Sequence, residues 1–88
     1  MFVVKIVNQS VWKKDIKKIP SHIYEKIRKK IVTLDKFPDQ GDISHLSNHH
    51  LAKYRLRIGV YRVLFDVDFD NQIVLLYRVV HRSKSYMI

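Results

Sequence analysis

At 88 residues, with 47% apolar side chains, the chain is long enough for one packed core and too short for two. The absence of cysteine excludes a disulfide framework, a thiolate zinc site and a cysteine nucleophile, and it fits the cytoplasm. Seventeen Lys and Arg against eight Asp and Glu leave a formal charge of +9, a field that speeds encounter with phosphate backbones or an acidic protein without choosing between them.

Residues 2–7 are almost all β-branched or aromatic and predict a first strand, with Asn8-Gln9-Ser10 as the break before a helix and Ser10 as its cap. That opening apolar run is too short for a secretory or membrane segment, so neither is expected. Trp12, Ile16 and Ile19 then line one helical face, while Lys13, Lys14, Lys17 and Lys18 take the rest. Pro20-Ser21 starts a second, longer helix in which Ile23, Ile27, Ile31 and Leu34 recur at helical spacing until Phe37-Pro38. The lysine runs outside these stripes predict solvated faces.

Residues 39–52 lose all periodicity and predict a loop, with one turn of structure around Leu46. Alternation returns at Lys53: Tyr54, Leu56 and Ile58 against Lys53, Arg55 and Arg57, then, past Gly59, Tyr61, Val63, Phe65 and Val67 against Arg62, Leu64 and Asp66. After turn chemistry at residues 68–71, the apolar run 73–80 predicts a central strand covered on both sides. The order β-α-α-β-β-β predicts an α+β fold over residues 1–88: one domain, a helical hairpin packed on one face of an antiparallel sheet, and a polar set on the other face.

That open face is expected to concentrate Lys53, Arg55, Arg57, Arg62 and Arg78, with His81, Arg82, Lys84 and Tyr86 just beyond the last strand. Like charges opposite each other across strands cost roughly 0.2–1 kcal/mol per pair, so such a face wants an anion. The competing reading neutralises the arginines with Asp66, Asp68 and Asp70. Tyr54, Tyr61 and Tyr77 share the parity of apolar neighbours and are expected in the core, whereas Tyr86 is placed to act. RNA cleavage needs a group to take the 2′-hydroxyl proton, a cation at the scissile phosphate and a donor for the leaving 5′-oxygen. Arginine cannot give up its proton, so Arg62 and Arg82 suit the phosphate, and His81 and Tyr86 suit proton transfer. His49 and His50, beside a basic strand, are further candidates for contact with RNA. The scattered histidines lack metal-ligand spacing, and no cofactor is expected.

The stretches YRLRIGVYRVLFDVD (residues 54–68) and IVLLYRVVHRSKSY (residues 73–86) resemble the RelE family of the RelE/ParE superfamily, toxins of prokaryotic toxin–antitoxin pairs. The resemblance covers essentially the whole chain and implies a metal-independent, ribosome-dependent endoribonuclease that cuts mRNA in the A site by 2′-hydroxyl attack and so inhibits translation. It implies Arg62 at the scissile phosphate, Arg82 and Tyr86 as the C-terminal catalytic pair and His81 beside them. Arg55 and Arg57 match a basic pair where some members carry lysine, and Val80 stands where glycine often precedes the His-Arg pair. Its implied partners are the ribosome, mRNA and a cognate antitoxin through which the complex binds its own promoter DNA. The alternatives are a ParE-like toxin that inhibits gyrase by binding, and a basic nucleic-acid-binding module without catalysis.

Overall fold

The computed structural model describes residues 1–38 and 41–85. In it β1 (Val3–Ile6) leads into α1 (Gln9–Lys17) and α2 (Ser21–Val32), and a 3₁₀ turn (Thr33–Lys36) extends the second helix. Asn8, not Ser10, caps α1: in extended conformation, two residues further back, its side chain accepts from Val11 N at 3.2 Å and satisfies a first-turn donor. Then follow β2 (Ile43–His45), β3 (Tyr54–Ile58), β4 (Tyr61–Asp68), β5 (Ile73–His81) and a closing 3₁₀ turn (Arg82–Lys84).

The five strands form one sheet in the order β1-β5-β4-β3-β2. The helices carry the chain across the width of the sheet to β2, and three antiparallel steps return it to β5 beside β1. The sheet is therefore mixed and not antiparallel throughout, because β1 pairs with β5 in parallel, Val3 opposite Ile73 and Ile6 opposite Leu76. Strand direction is a property of that path, and local alternation is blind to it. β2, inside the stretch expected as loop, is only three residues long, too short for a period of two to register.

Trp12, Ile19, Ile27, Ile31 and Leu34 of the helical layer bury against Leu56, Val63, Phe65, Val74, Leu76 and Val79 of the sheet. Trp12 Nε1 donates to Tyr24 Oη at 3.2 Å, which ties the two helices together. The opposite face is not wholly polar, since Leu46 and Leu51 of the intervening loop fold onto it with Ala52, Leu64, Tyr77 and Val80 as a second, smaller cluster.

That second cluster depends on a bulge. Leu64 pairs with Arg78 but the next residue, Phe65, pairs with Leu76, so Tyr77 is an extra residue on β5. Tyr77 turns away from the main core, and its hydroxyl donates to Asp66 Oδ2 at 3.1 Å. The same irregularity aims Arg78 at α1, where its Nε and Nη2 each donate to the Asp15 carboxylate at 2.8 Å. Asp15 also accepts from Val79 N at 3.1 Å, supplying a partner where β1 has already ended.

Candidate polyanion-binding cleft

The β3–β4 hairpin sets the cleft. Gly59 has φ +57, the left-handed conformation that its tight two-residue turn needs, and its carbonyl accepts from Arg62 Nη1 at 2.9 Å. Arg62 Nη1 also donates to Tyr61 O at 2.8 Å, so the guanidinium is held against the turn by backbone oxygens. Arg57 stands directly opposite Arg62 in the strand register, with both side chains on the face away from the helices. Arg82 joins them because its N–H donates to Val60 O at 2.7 Å, which pins the start of the last 3₁₀ turn to the hairpin tip.

A cavity of about 450 Å³ is lined by Arg57, Arg62 and Arg82 together with Ile58, Gly59, Lys30 of α2 and Asp42. A second, of about 340 Å³, shares Asp42, Arg57 and Arg62 and continues to Ile43, Ser44 and Arg55. Arg55 in turn lines a third concavity with His45, Leu46, Asn48, His49 and His50. The shared residues make these cavities one basic track, from the hairpin tip to the histidine loop.

Each expected site residue among those described has a definite place relative to this track. Arg55, Arg57, Arg62 and Arg82 are brought together, and His49 and His50 stack on each other at its far end, ring centroids 5.1 Å apart. His49 is also a loop anchor: Nδ1 accepts from Leu51 N and Ala52 N, which places the proton on Nε2 for donation to Ser85 O at 3.0 Å. Lys53 is exposed at the entry to β3, its N–H donating to Asp66 Oδ1.

Arg78, expected on the open face among the binding residues, is instead turned to Asp15. Its hydrogen bonds to that carboxylate raise its pKa further against the opposing effect of burial, so it stays charged. His81 pairs across the strands with Tyr61 and sits edge-on to its ring at 5.8 Å, on the helix side of the sheet. There it lines a different cavity with Lys18, Ser83 and Lys84. Its Nδ1 lies 2.9 Å from Ser83 Oγ and 3.2 Å from Ser83 N, which fixes the ring at the end of β5. Tyr86 lies outside the described residues.

Two residues of the cleft escaped the sequence pattern. Lys30 was counted with the solvated lysines of α2, although its position beside Ile27 and Ile31 marks the edge of the buried stripe. Asp42, a lone carboxylate in a basic loop, accepts from Lys30 Nζ at 2.7 Å and Arg57 Nη2 at 3.0 Å. Neither Asp66 nor Asp68 neutralises the arginines: Asp66 is taken up by Lys53 N and Tyr77, and Asp68 by Asn71. Among the described residues no group of three or more His, Asp or Glu is placed to hold a metal ion, and no helix is long and apolar enough to cross a membrane.

Comparison with known proteins gives a consistent result. The family model described as "ParE toxin of type II toxin-antitoxin system, parDE" matches residues 10–86. Toxin RelE3 of Methanocaldococcus jannaschii is 29% identical over 87 residues, 94% of this chain and 96% of that one. The fold is similar to that of a chain in the toxin–antitoxin complex RelBE2 from Mycobacterium tuberculosis (TM-score 0.76, 23% identity, 92% of this chain and 98% of that chain). The RelB–RelE antitoxin–toxin complex from Methanococcus jannaschii is similar as well (TM-score 0.69, 26% identity, 97% and 95%).

Proposed function

The chain belongs to the ParE toxin family of type II toxin–antitoxin systems, and within that family its likeness to RelE toxins and its arginine cleft lead us to a narrower reading: we propose that it is a ribosome-dependent endoribonuclease that cuts mRNA in the A site. The observation that carries this reading is the convergence of Arg57, Arg62 and Arg82 on one cavity, open to a basic track that continues through Arg55 to His49 and His50. Attack of a 2′-oxygen on phosphorus forms one P–O bond and breaks the bond to the 5′-oxygen. The 2′ proton passes to a base, the departing 5′-oxygen takes one up, and a cyclic phosphate remains. Negative charge grows on the phosphate oxygens along that path, and the guanidinium groups stabilise it, that of Arg62 already held against the hairpin turn by backbone oxygens.

His81 and Tyr86 are assigned the proton transfers. His81 takes the 2′ proton and, as the imidazolium that results, gives one to the departing 5′-oxygen. Since positioning contributes roughly 7–11 kcal/mol to such a reaction, free RNA held by this domain alone is a poor substrate and the ribosome supplies the attack geometry. The likeness to toxins in complex with their antitoxins supports a cognate antitoxin as the partner that restrains this chain.

A second reading is favoured by one observation: His81 lies on the Tyr61 side of the sheet, away from the arginines. A ParE-like toxin that inhibits gyrase by binding has no proton to move. Primer extension on mRNA from cells expressing the chain separates the two. The nuclease gives new 5′ ends inside codons, and Arg62→Ala and Arg82→Ala each lower their yield by about 10²-fold or more. Intact mRNA, with plasmid linearised in the presence of gyrase, would establish the second reading in its place.

A further inference from the structure

Asp42 stands immediately before β2, and its carbonyl accepts from Arg57 N at 2.9 Å, so the sheet fixes its backbone beside the cleft. Its carboxylate receives one cation on each oxygen, Lys30 Nζ on Oδ2 at 2.7 Å and Arg57 Nη2 on Oδ1 at 3.0 Å. Two non-bridging oxygens of a phosphodiester would meet the same two cations in the same way. Lys30 reaches this point from α2 while its neighbours Lys26, Arg28 and Lys29 stay exposed. The described residues that line the cavity carry four cations, Lys30, Arg57, Arg62 and Arg82, to the single carboxylate of Asp42. The hydrogen bond from Lys30, then that from Arg57, hold the carboxyl below its ordinary range, so the cleft contains an anion of its own.

We propose that Asp42 is a displaceable internal anion, and that an RNA phosphate seats by taking its place between Lys30 and Arg57, which makes Lys30 a phosphate-binding residue of the cleft. This rests on the reading that the arginine cleft receives RNA. Displacement is feasible because both cations keep contact with solvent, 66% of the Arg57 side chain and 35% of that of Lys30 being exposed, and pairs that water reaches hold weakly. Rotation of the Asp42 side chain is enough; the backbone bond to Arg57 stays.

Fluorescence anisotropy with a short, uncleavable 2′-O-methyl oligoribonucleotide tests the proposal over a range of salt. Every variant is paired with an equal charge change elsewhere. Asp70→Asn, in the β4–β5 turn at the far end of the sheet, controls for Asp42→Asn, and Lys29→Met controls for Lys30→Met. Asp42→Asn binds about two- to five-fold tighter than Asp70→Asn, the range set by a solvated pair. Lys30→Met binds at least about three-fold more weakly than Lys29→Met, and its salt slope is smaller by about 0.7, one phosphate contact on a single strand. Equality within either pair overturns the proposal, and the lysine pair decides alone if Asp42→Asn does not fold. If Arg57→Ala binds no more weakly than Lys29→Met, the cleft is not the RNA site and the functional reading falls. If Arg57→Ala is weaker while Asp42→Asn matches Asp70→Asn, the proposal falls and the functional reading stands.

Discussion

Replacing Asp15 by alanine removes one carboxylate and leaves three donors without it: Arg78 Nε, Arg78 Nη2 and Val79 N. Asp15 is 5% exposed, so the pair counts as buried on the carboxylate side. Breaking a buried ion pair by deleting one partner costs roughly 3–5 kcal/mol. Because 26% of the Arg78 side chain still reaches solvent, the orphaned charge is partly relieved and the lower end, about 3 kcal/mol, applies. For a domain of this size that is a fall in Tm of roughly 12–24 °C. Urea unfolding followed by circular dichroism measures it as a shift in midpoint at constant slope. Asp15→Leu combined with Arg78→Met should recover much of the loss, since an apolar pair often replaces a buried ionic one at little cost. The unpaired Val79 N–H keeps the recovery incomplete. A loss below about 1 kcal/mol for Asp15→Ala, or a double variant no better than the single one, would refute the claim that this pair holds α1 against the upper half of β5.

Three further outcomes follow from the same geometry. Gly59→Ala should destabilise the chain by about 1–2 kcal/mol through backbone strain alone, since a Cβ there meets nothing within 4 Å, and thermal denaturation that shows no loss would contradict the turn assignment. His49→Asn, whose side-chain oxygen can still accept from Leu51 N and Ala52 N, should lose less stability than His49→Ala, which strands both donors at about 1–3 kcal/mol each; equal losses in chemical denaturation would show that the loop bonds contribute nothing. The carboxyl of Asp42 should titrate below the free aspartate value of about 3.9 when followed by carbon NMR, because Lys30 and then Arg57 favour its charged form. Its contribution to stability is therefore complete above that unfolded value and is lost as pH falls through the lower folded one; a midpoint at or above the free value excludes the ion pairs in solution.

What could be read from residue order was whatever repeats locally. Periods of 3.6 and 2 identify both helices and the three long strands, and they assign Leu56, Val63 and Phe65 to one face and Arg55, Arg57 and Arg62 to the other. The arginines therefore share a face for a reason visible in the sequence, and Arg82 follows them because its strand ends at the hairpin tip. The parity rule fails where the chain breaks step. One extra residue at Tyr77 shifts the phase of β5, so the Tyr77 ring lies on the opposite face from Val79, whose parity it shares, and Arg78 bonds Asp15 of α1, out of the set to which alternation had assigned it. Contacts between distant segments are equally silent in a one-dimensional pattern. Asp42 meets Lys30 and Arg57 across 12 and 15 residues, and His49 meets Ser85 across 36. Side-chain chemistry and spacing determined the elements, the charge and the basic face; the path of the backbone decided strand direction, the bulge, the placing of His81 apart from the arginines, and the carboxylate that fills their cleft. The physical cause is range: alternation and helical period act between near neighbours, whereas a salt bridge forms wherever folding brings two charges within a few ångströms.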